Sequence, residues 1–147
     1  MPQISKNPKK KLKKKKKPSI TCLKRKCDHS WSRIIQLRAK NKCERCGSVS
    51  MLNSHHILGR VIHNLRYSLE NGIALCTSCH KWGRENSAHE NPVGFIHWLE
   101  EKKGRWYLEK LDNLAHEEHP DLNYELVLAG LKRVEEFYSR ADLTDRN

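Results

Sequence analysis

The chain has 147 residues, in which 29 Lys and Arg outnumber 17 Asp and Glu and give a formal net charge of +12. An excess of this size favours an anionic partner such as nucleic acid. No stretch is long and apolar enough to span a membrane, and the basic N-terminal segment has no apolar run typical of a signal peptide. Six cysteines without an export signal indicate a reducing compartment: cytoplasmic in a bacterium or phage, or nuclear if the host is a eukaryote.

The basic charge is concentrated at the N-terminus. Residues 1–26 hold 12 basic residues and no acidic one, which equals the whole net charge of +12. Such a segment cannot bury apolar surface and is predicted to be a disordered tail. We expect its lysine run to bind phosphates without sequence preference, and a solubilising or nuclear-import role stays compatible with this. The run consists of Lys13, Lys14, Lys15, Lys16 and Lys17.

Residues 27–147 are predicted to form one domain that opens with a helix over residues 28–40. Trp31, Ile34 and Ile35 lie at helical spacing and are expected to pack beneath a zinc knuckle, described next. Cys22 and Cys27 could form a metal site with His29. We favour ordinary thiols, one of them packed under the helix, because the spacing is irregular and a fourth ligand is missing.

Four cysteines form two C-x2-C pairs within residues 43–91. The pairs are Cys43 with Cys46 and Cys76 with Cys79. A C-x2-C turn lets both sulfurs bind one ion, and two such turns complete a tetrahedral structural zinc site. The pattern therefore predicts structural Zn²⁺ that joins the two ends of this segment. Buried thiols or disulfides are the alternative.

Histidines lie inside this segment. His55 and His56 fall in LNSHHIL, which reads as a short strand, and its neighbouring side chains point to opposite faces. Asn71 precedes a second predicted strand, ENGIALC. His80 follows Cys79 in TSCHKWGREN, where Thr77 or Ser78 could cap a short helix.

The ordered HH, N and C-x2-C-H positions resemble the HNH, or ββα-metal, endonuclease family, and the chain resembles a small phage-type member with a double zinc knuckle. The resemblance covers residues 43–91. It implies that His55 and His80 bind one catalytic divalent metal ion, that His56 is the general base, and that Asn71 orients His56. It also implies cleavage that leaves a 5′-phosphate and a 3′-hydroxyl.

The chain departs from the family pattern at one position. Some members have a third metal ligand one helical turn after the position of His80, where this chain has Arg84, a side chain that cannot ligate metal. Glu85, Asn86 and His89 are nearby substitutes, and His89 is the first candidate. Imidazole ligands without an obvious carboxylate favour Mn²⁺, Co²⁺, Ni²⁺ or Zn²⁺ over Mg²⁺.

Between the two predicted strands, Arg60 and Arg66 are candidate phosphate clamps. His63 is expected to be an ordinary loop residue, and Tyr67 part of the core.

Residues 92–147 are predicted to be a helical extension. Asn91-Pro92 marks a helix start with Phe95, Trp98 and Leu99 buried, and Gly104 ends that helix. WYLEKLDNLA continues helical spacing, and a longer helix begins after Pro120. By count this extension carries −4 and residues 27–91 carry +4, so we expect the nucleic-acid face on the motif half.

These patterns predict an α+β fold: a zinc-stapled ββα-metal motif flanked by helices, with a disordered basic tail. The predicted function is metal-dependent hydrolysis of DNA phosphodiesters, and RNA stays open as a substrate. The alternatives are a zinc-stabilised nucleic-acid-binding module without catalysis, and an assembly factor. Also open are sequence specificity, cutting of one strand or two, and a homodimer or a protein partner bound through residues 92–147.

Overall fold

The computed structural model describes residues 17–118 and 121–144 and shows the predicted α+β architecture. A two-stranded antiparallel sheet lies among four α-helices. The elements in chain order are α1 (Ile20–Arg38), β1 (Leu52–His56), β2 (Gly72–Cys76), α2 (Pro92–Lys103), α3 (Arg105–His116) and α4 (Tyr124–Thr144). Short helical turns occur at His63–Leu65, Ser78–Trp82 and Arg84–Asn86, the second of them a π-helical turn.

Helix α1 begins at Ile20, so the predicted tail boundary at residue 26 and the predicted helix start at residue 28 are wrong. The Ser19 side chain caps the helix by accepting the Cys22 N–H at 3.3 Å. Leu23 and Cys27 are buried, which stabilises a basic segment as helix despite its charge. Lys17 is exposed, whereas Lys13, Lys14, Lys15 and Lys16 lie outside the described residues.

The two predicted strands pair as an antiparallel hairpin. His55 lies opposite Ile73, and His56 lies opposite Gly72. A Cβ atom at Gly72 would lie 2.3 Å from Ile35 Cδ1 and 2.8 Å from the Trp31 ring. Glycine at this position therefore lets helix α1 pack directly against β2.

The buried face of α1 packs differently from the prediction. Trp31, Ile34 and Ile35 form one cluster with Ala74 of β2 and Leu131 of α4, rather than lying beneath the cysteines. Instead, the cysteine knuckles share a second cluster with β2 and α2, which contributes Phe95 and Leu99. The reason is that α4 covers α1, a long-range pairing that residue spacing does not reveal.

The helical extension follows the predicted boundaries closely. The Asn91 side chain caps α2 by accepting the Gly94 N–H at 3.0 Å, and Gly104, with φ of 87°, separates α2 from α3. Helix α4 begins at Tyr124, where Asn123 Oδ1 accepts the N–H groups of Glu125 and Leu126. Its apolar stripe packs on α1. None of the helices in the described parts of the chain combines the length and apolar character needed to cross a bilayer.

Candidate active site

The four cysteines of the two C-x2-C pairs converge at one point. Their sulfurs all lie within 4.8 Å of one another, and Cys46 Sγ is 3.6 Å from Cys76 Sγ. Four sulfurs at about 2.3 Å from a tetrahedral zinc ion would be about 3.8 Å apart. The cluster therefore fits the structural zinc site expected from the sequence.

Hydrogen bonds within this cluster favour deprotonation of the Cys43 thiol. Burial raises the pKa of Cys43, but N–H donors of Cys76, Cys46 and Arg45 outweigh burial and lower it to about 7. Burial raises the pKa of Cys79. Because only thiolates bind zinc strongly, metal binding would have to release protons from the remaining thiols.

A second cluster consists of three histidines. His55 lies on β1, His80 in the π-helical turn, and His89 in the loop before α2. Their ring nitrogens lie within 4.8 Å of one another, and the Nε2 atoms of His80 and His89 are 3.2 Å apart. Two nitrogens bound to one ion at 2.0–2.1 Å would be separated by about 3.0–3.4 Å. The donor set fits one divalent ion.

His89 reaches this cluster through a reversal of the chain. The helical turn that carries His80 stops at Gly83, and Arg84 adopts a left-handed conformation with φ of 47°. The following loop returns to that turn, where the His89 N–H donates to the His80 carbonyl at 3.2 Å. The third imidazole of the cluster therefore comes from His89 in a returning loop, and not from the residue one helical turn after His80.

His56 points to the opposite side of β1, as the strand geometry predicts, and its ring is held on two sides. It stacks on Trp31 with ring centroids 3.8 Å apart and planes inclined by 8°. His56 Nε2 lies 2.9 Å from the Arg66 carbonyl oxygen. Because a carbonyl only accepts hydrogen bonds, Nε2 carries the proton, and Nδ1 is left with a free lone pair.

Asn71 is fully buried, and its amide acts on the loop rather than on the His56 ring. Its Oδ1 accepts the Leu58 N–H at 2.7 Å, and its Nδ2 donates to the carbonyls of Leu58 and Leu65. None of these hydrogen bonds joins Asn71 to the His56 ring. Asn71 closes the loop over residues 57–71, and that loop presents the Arg66 carbonyl to His56.

The two arginines of this loop separate into different roles. Arg66 donates from Nε and Nη2 to both oxygens of Asp28, at 3.1 and 2.8 Å, and its side chain is 19% exposed. Arg66 is thus held by α1, and its role as a phosphate clamp stays a prediction. Arg60 is 64% exposed and lies 3.8 Å from Asp28, so its guanidinium is accessible to an anion.

These groups surround one open cleft of about 570 Å³. His55, His56, His80 and His89 line it together with two cations and an apolar wall formed chiefly by α2. The further lining residues are Ser54, Ile57, Gly59, Arg60, Lys81, Ala88, Pro92, Phe95 and Ile96.

The surroundings of His55, His56 and His80 in this cleft favour their neutral forms. Burial lowers the pKa of His55 to about 4, and the neighbouring His80 and His89 contribute in the same direction. Burial also lowers the pKa of His80 and of His56, the latter with a contribution from Arg60. Neutral imidazoles can bind metal and accept protons near neutral pH.

Cys22, Cys27 and His29 do not form a further metal site among the residues that the structure covers, where only the two clusters above bring three or more ligands together. Cys27 is buried and donates from Sγ to the Tyr124 carbonyl at 3.6 Å. Packing as ordinary thiols is the arrangement predicted for these cysteines.

Two residues of this site were not predicted from the sequence: Asp28, which holds Arg66, and Trp31, which had been placed only in the core. Both belong to α1. No spacing pattern connects them to His56, because their contacts form only when α1 packs on the hairpin.

Comparison with protein families supports this geometry. Residues 43–82 match the HNH endonuclease family. No curated protein and no solved structure matches the chain. The matched segment includes both cysteine pairs, His55, His56 and His80, whereas His89 and helix α1 lie outside it. The chain is therefore similar to the HNH endonuclease family over residues 43–82.

Proposed function

We propose that the protein is a metal-dependent endonuclease that hydrolyses phosphodiester bonds of DNA, with His56 as the general base. The observation that carries this proposal is a single cleft that contains three converging imidazoles and, beside them, an oriented fourth. A module that only bound nucleic acid would have no need to hold a neutral histidine next to a cluster of metal ligands.

His55, His80 and His89 would hold the catalytic ion. The chemistry that such an ion would supply is positive charge beside the phosphodiester and its leaving oxygen. Three nitrogen ligands favour Mn²⁺, Co²⁺, Ni²⁺ or Zn²⁺ over Mg²⁺, which prefers oxygen ligands.

The remaining groups act on water and phosphate. His56 is oriented by Trp31 and the Arg66 carbonyl, and its Nδ1 would accept the proton of the attacking water as the new P–O bond forms. Arg60 and Lys81 line the same cleft and would bind the phosphate oxygens. Asn71 would support this arrangement by keeping the loop closed.

The test is nicking of supercoiled plasmid by zinc-loaded protein with Mn²⁺, Ni²⁺ or Mg²⁺ added. We expect activity in the order Mn²⁺ or Ni²⁺ above Mg²⁺. His56→Ala should lower the rate at saturating DNA by about 10²- to 10⁴-fold while DNA binding is retained. His97→Ala, a change at an exposed histidine on α2, is the matched control and should leave nicking unchanged.

The result separates the nuclease from its alternatives. If wild type and both variants bind DNA and none nicks it with any of these metals, the protein is a binding module and the nuclease proposal is wrong. Cleavage by His56→Ala at the wild-type rate would show that His56 is not the general base, but it would leave the nuclease proposal intact.

A further inference from the structure

A second positively charged surface lies on α1, away from the catalytic cleft. Arg25, His29 and Arg33 are spaced four residues apart on the exposed face of this helix, and Lys26 lies beside them. Arg25, Lys26 and His29 line a groove of about 560 Å³ between α1 and α4, closed on the other side by Leu128 and Lys132. Among the residues that line this groove, none is acidic.

Most of these charges are available to a ligand. In the described parts of the chain, no ion pair involves Arg25, Lys26 or Arg33, in contrast to Arg38, which is held by Glu44, and Arg66, which is held by Asp28. Lys132 is the exception, because it pairs with Glu135 at 2.7 Å. Unpaired cations on a rigid helix form a preorganised site for a polyanion.

This surface and the catalytic cleft lie on adjoining faces of the same helix. Ser32 of α1 donates to Ser54 Oγ at 3.0 Å, and Ser54 lines the cleft. At 100° per residue, Arg25 lies next to Ser32 around the helix, and the other basic residues continue from there towards α4. An extended chain of phosphates could therefore pass from the cleft onto this surface.

We infer that the exposed face of α1, with Arg25, Lys26 and Arg33 as its main contacts, binds the phosphate backbone of duplex DNA that extends beyond the cleavage point. This inference rests on the proposed nuclease function for the identity of the ligand. The surface supplies affinity without base recognition, and it makes α1 bifunctional: one face holds His56 through Trp31, and the other holds the DNA flank.

The test compares two triple variants that remove the same charge. In Arg25→Gln/Lys26→Gln/Arg33→Gln the α1 surface is neutralised. In the control, Lys102→Gln/Arg105→Gln/Lys110→Gln, three exposed cations of α2 and α3 are removed, and none of them lines the groove. All substituted side chains are exposed or solvent-facing, so both variants should fold, and circular dichroism checks this.

Binding to a 30-base-pair duplex is measured by fluorescence anisotropy at several salt concentrations, in a His56→Ala background without added divalent ion. Loss of three phosphate contacts should reduce the slope of log K against log salt by about 2 to 3 units in the α1 variant. The control should keep most of the slope. An unchanged slope in the α1 variant, or an equal loss in both variants, would overturn the inference.

Nicking by the same variants with His56 intact gives an independent result. The α1 variant should have a raised KM for plasmid and an unchanged kcat, because the cleft is intact. If wild type does not nick but the slopes differ as expected, the α1 surface stands and the nuclease proposal falls. If wild type nicks and the slopes do not differ, the nuclease proposal stands and the inference about the α1 surface falls.

Discussion

The indole of Trp31 and the imidazole of His56 lie face to face at 3.8 Å, and one loop holds both rings. Trp31 Nε1 donates to the Ser68 carbonyl at 2.9 Å, and His56 Nε2 lies 2.9 Å from the Arg66 carbonyl. Helix α1, β1 and this loop are thereby joined at the proposed general base. A residue outside the matched HNH segment therefore stacks on the ring of the proposed general base inside it.

Replacing Trp31 tests this relationship. Trp31→Leu removes the stacked face and the donor to Ser68, so we expect kcat for plasmid nicking to fall by about ten-fold or more with little change in KM. Trp31→Phe keeps an aromatic face and should retain more activity, although loss of the hydrogen bond should lower the free energy of unfolding by about 1–3 kcal/mol. Equal kcat values for the two variants would contradict a role for stacking.

Asp28 offers a second test, because it acts on His56 through Arg66. Asp28→Asn removes the carboxylate that holds the Arg66 guanidinium. That negative charge raises the pKa of His56, so its loss should lower this pKa and move the acid limb of the pH–rate profile to lower pH. The kcat should also fall because the Arg66 carbonyl is less well positioned.

Asp28→Glu serves as the control for charge. It restores the carboxylate, so the acid limb should return towards the wild-type pH even if kcat recovers only in part. A pH–rate profile of Asp28→Asn that coincides with wild type would show that Asp28 only stabilises the fold.

Local patterns in the sequence were sufficient to predict β1, β2, the start of α2 and the cysteine cluster. Each of these depends on residues close together in the chain: alternation in a strand, an Asn-Pro cap, or two C-x2-C turns. His89 was a candidate only because it lay near a missing ligand. Its arrival at His80 depends on the left-handed conformation of Arg84, which no residue preference predicts.

Where the structure differs from the prediction, the physical origin is different. The start of α1 was placed too late because residues 20–26 were grouped with the basic tail, whereas burial of Leu23 and Cys27 against the fold decides their conformation. Arg66 was a candidate phosphate clamp because it lies between the two strands, and that segment does not indicate an ion pair. Its partner, Asp28, lies 38 residues away in sequence. Contacts of this range appear only after α1 docks.

Removal of His89 should weaken metal binding without unfolding the protein. His89 is exposed, so His89→Ala costs little packing but removes one of three converging nitrogens. We expect Mn²⁺ or Ni²⁺ affinity, measured by isothermal titration calorimetry on zinc-loaded protein, to fall by about ten-fold or more. Arg84→Ala, at the position one helical turn after His80, should leave affinity unchanged. The reverse result would exclude His89 as a ligand.

Loss of one thiolate should remove the structural zinc. Cys76 is buried, and its sulfur accepts the Cys79 N–H, so Cys76→Ser should abolish stoichiometric zinc and much of the folded circular dichroism signal. Cys22→Ser, at a cysteine outside the cluster, should keep one zinc per chain in elemental analysis. A folded, zinc-free Cys76→Ser protein would show that the cluster does not need metal to hold the hairpin.

His55 should make stability depend on pH between about 4 and 6.5. Its pKa is about 4 in the folded protein and 6.5 in the unfolded chain, so the unfolded chain binds the proton more readily in this window. The free energy of unfolding contributed by this group is therefore fully present above pH 6.5 and declines as the pH falls towards 4. At about 1.4 kcal/mol per pH unit, the loss between pH 7 and pH 5 should approach 2 kcal/mol.

Urea titrations at several pH values measure this loss. The free energy of unfolding of His55→Gln should decline less steeply with falling pH than that of wild type. His97→Gln, a change at an exposed histidine, should decline as wild type does. Parallel declines for wild type and His55→Gln would mean that other groups, such as the zinc-binding thiols, account for the acid sensitivity.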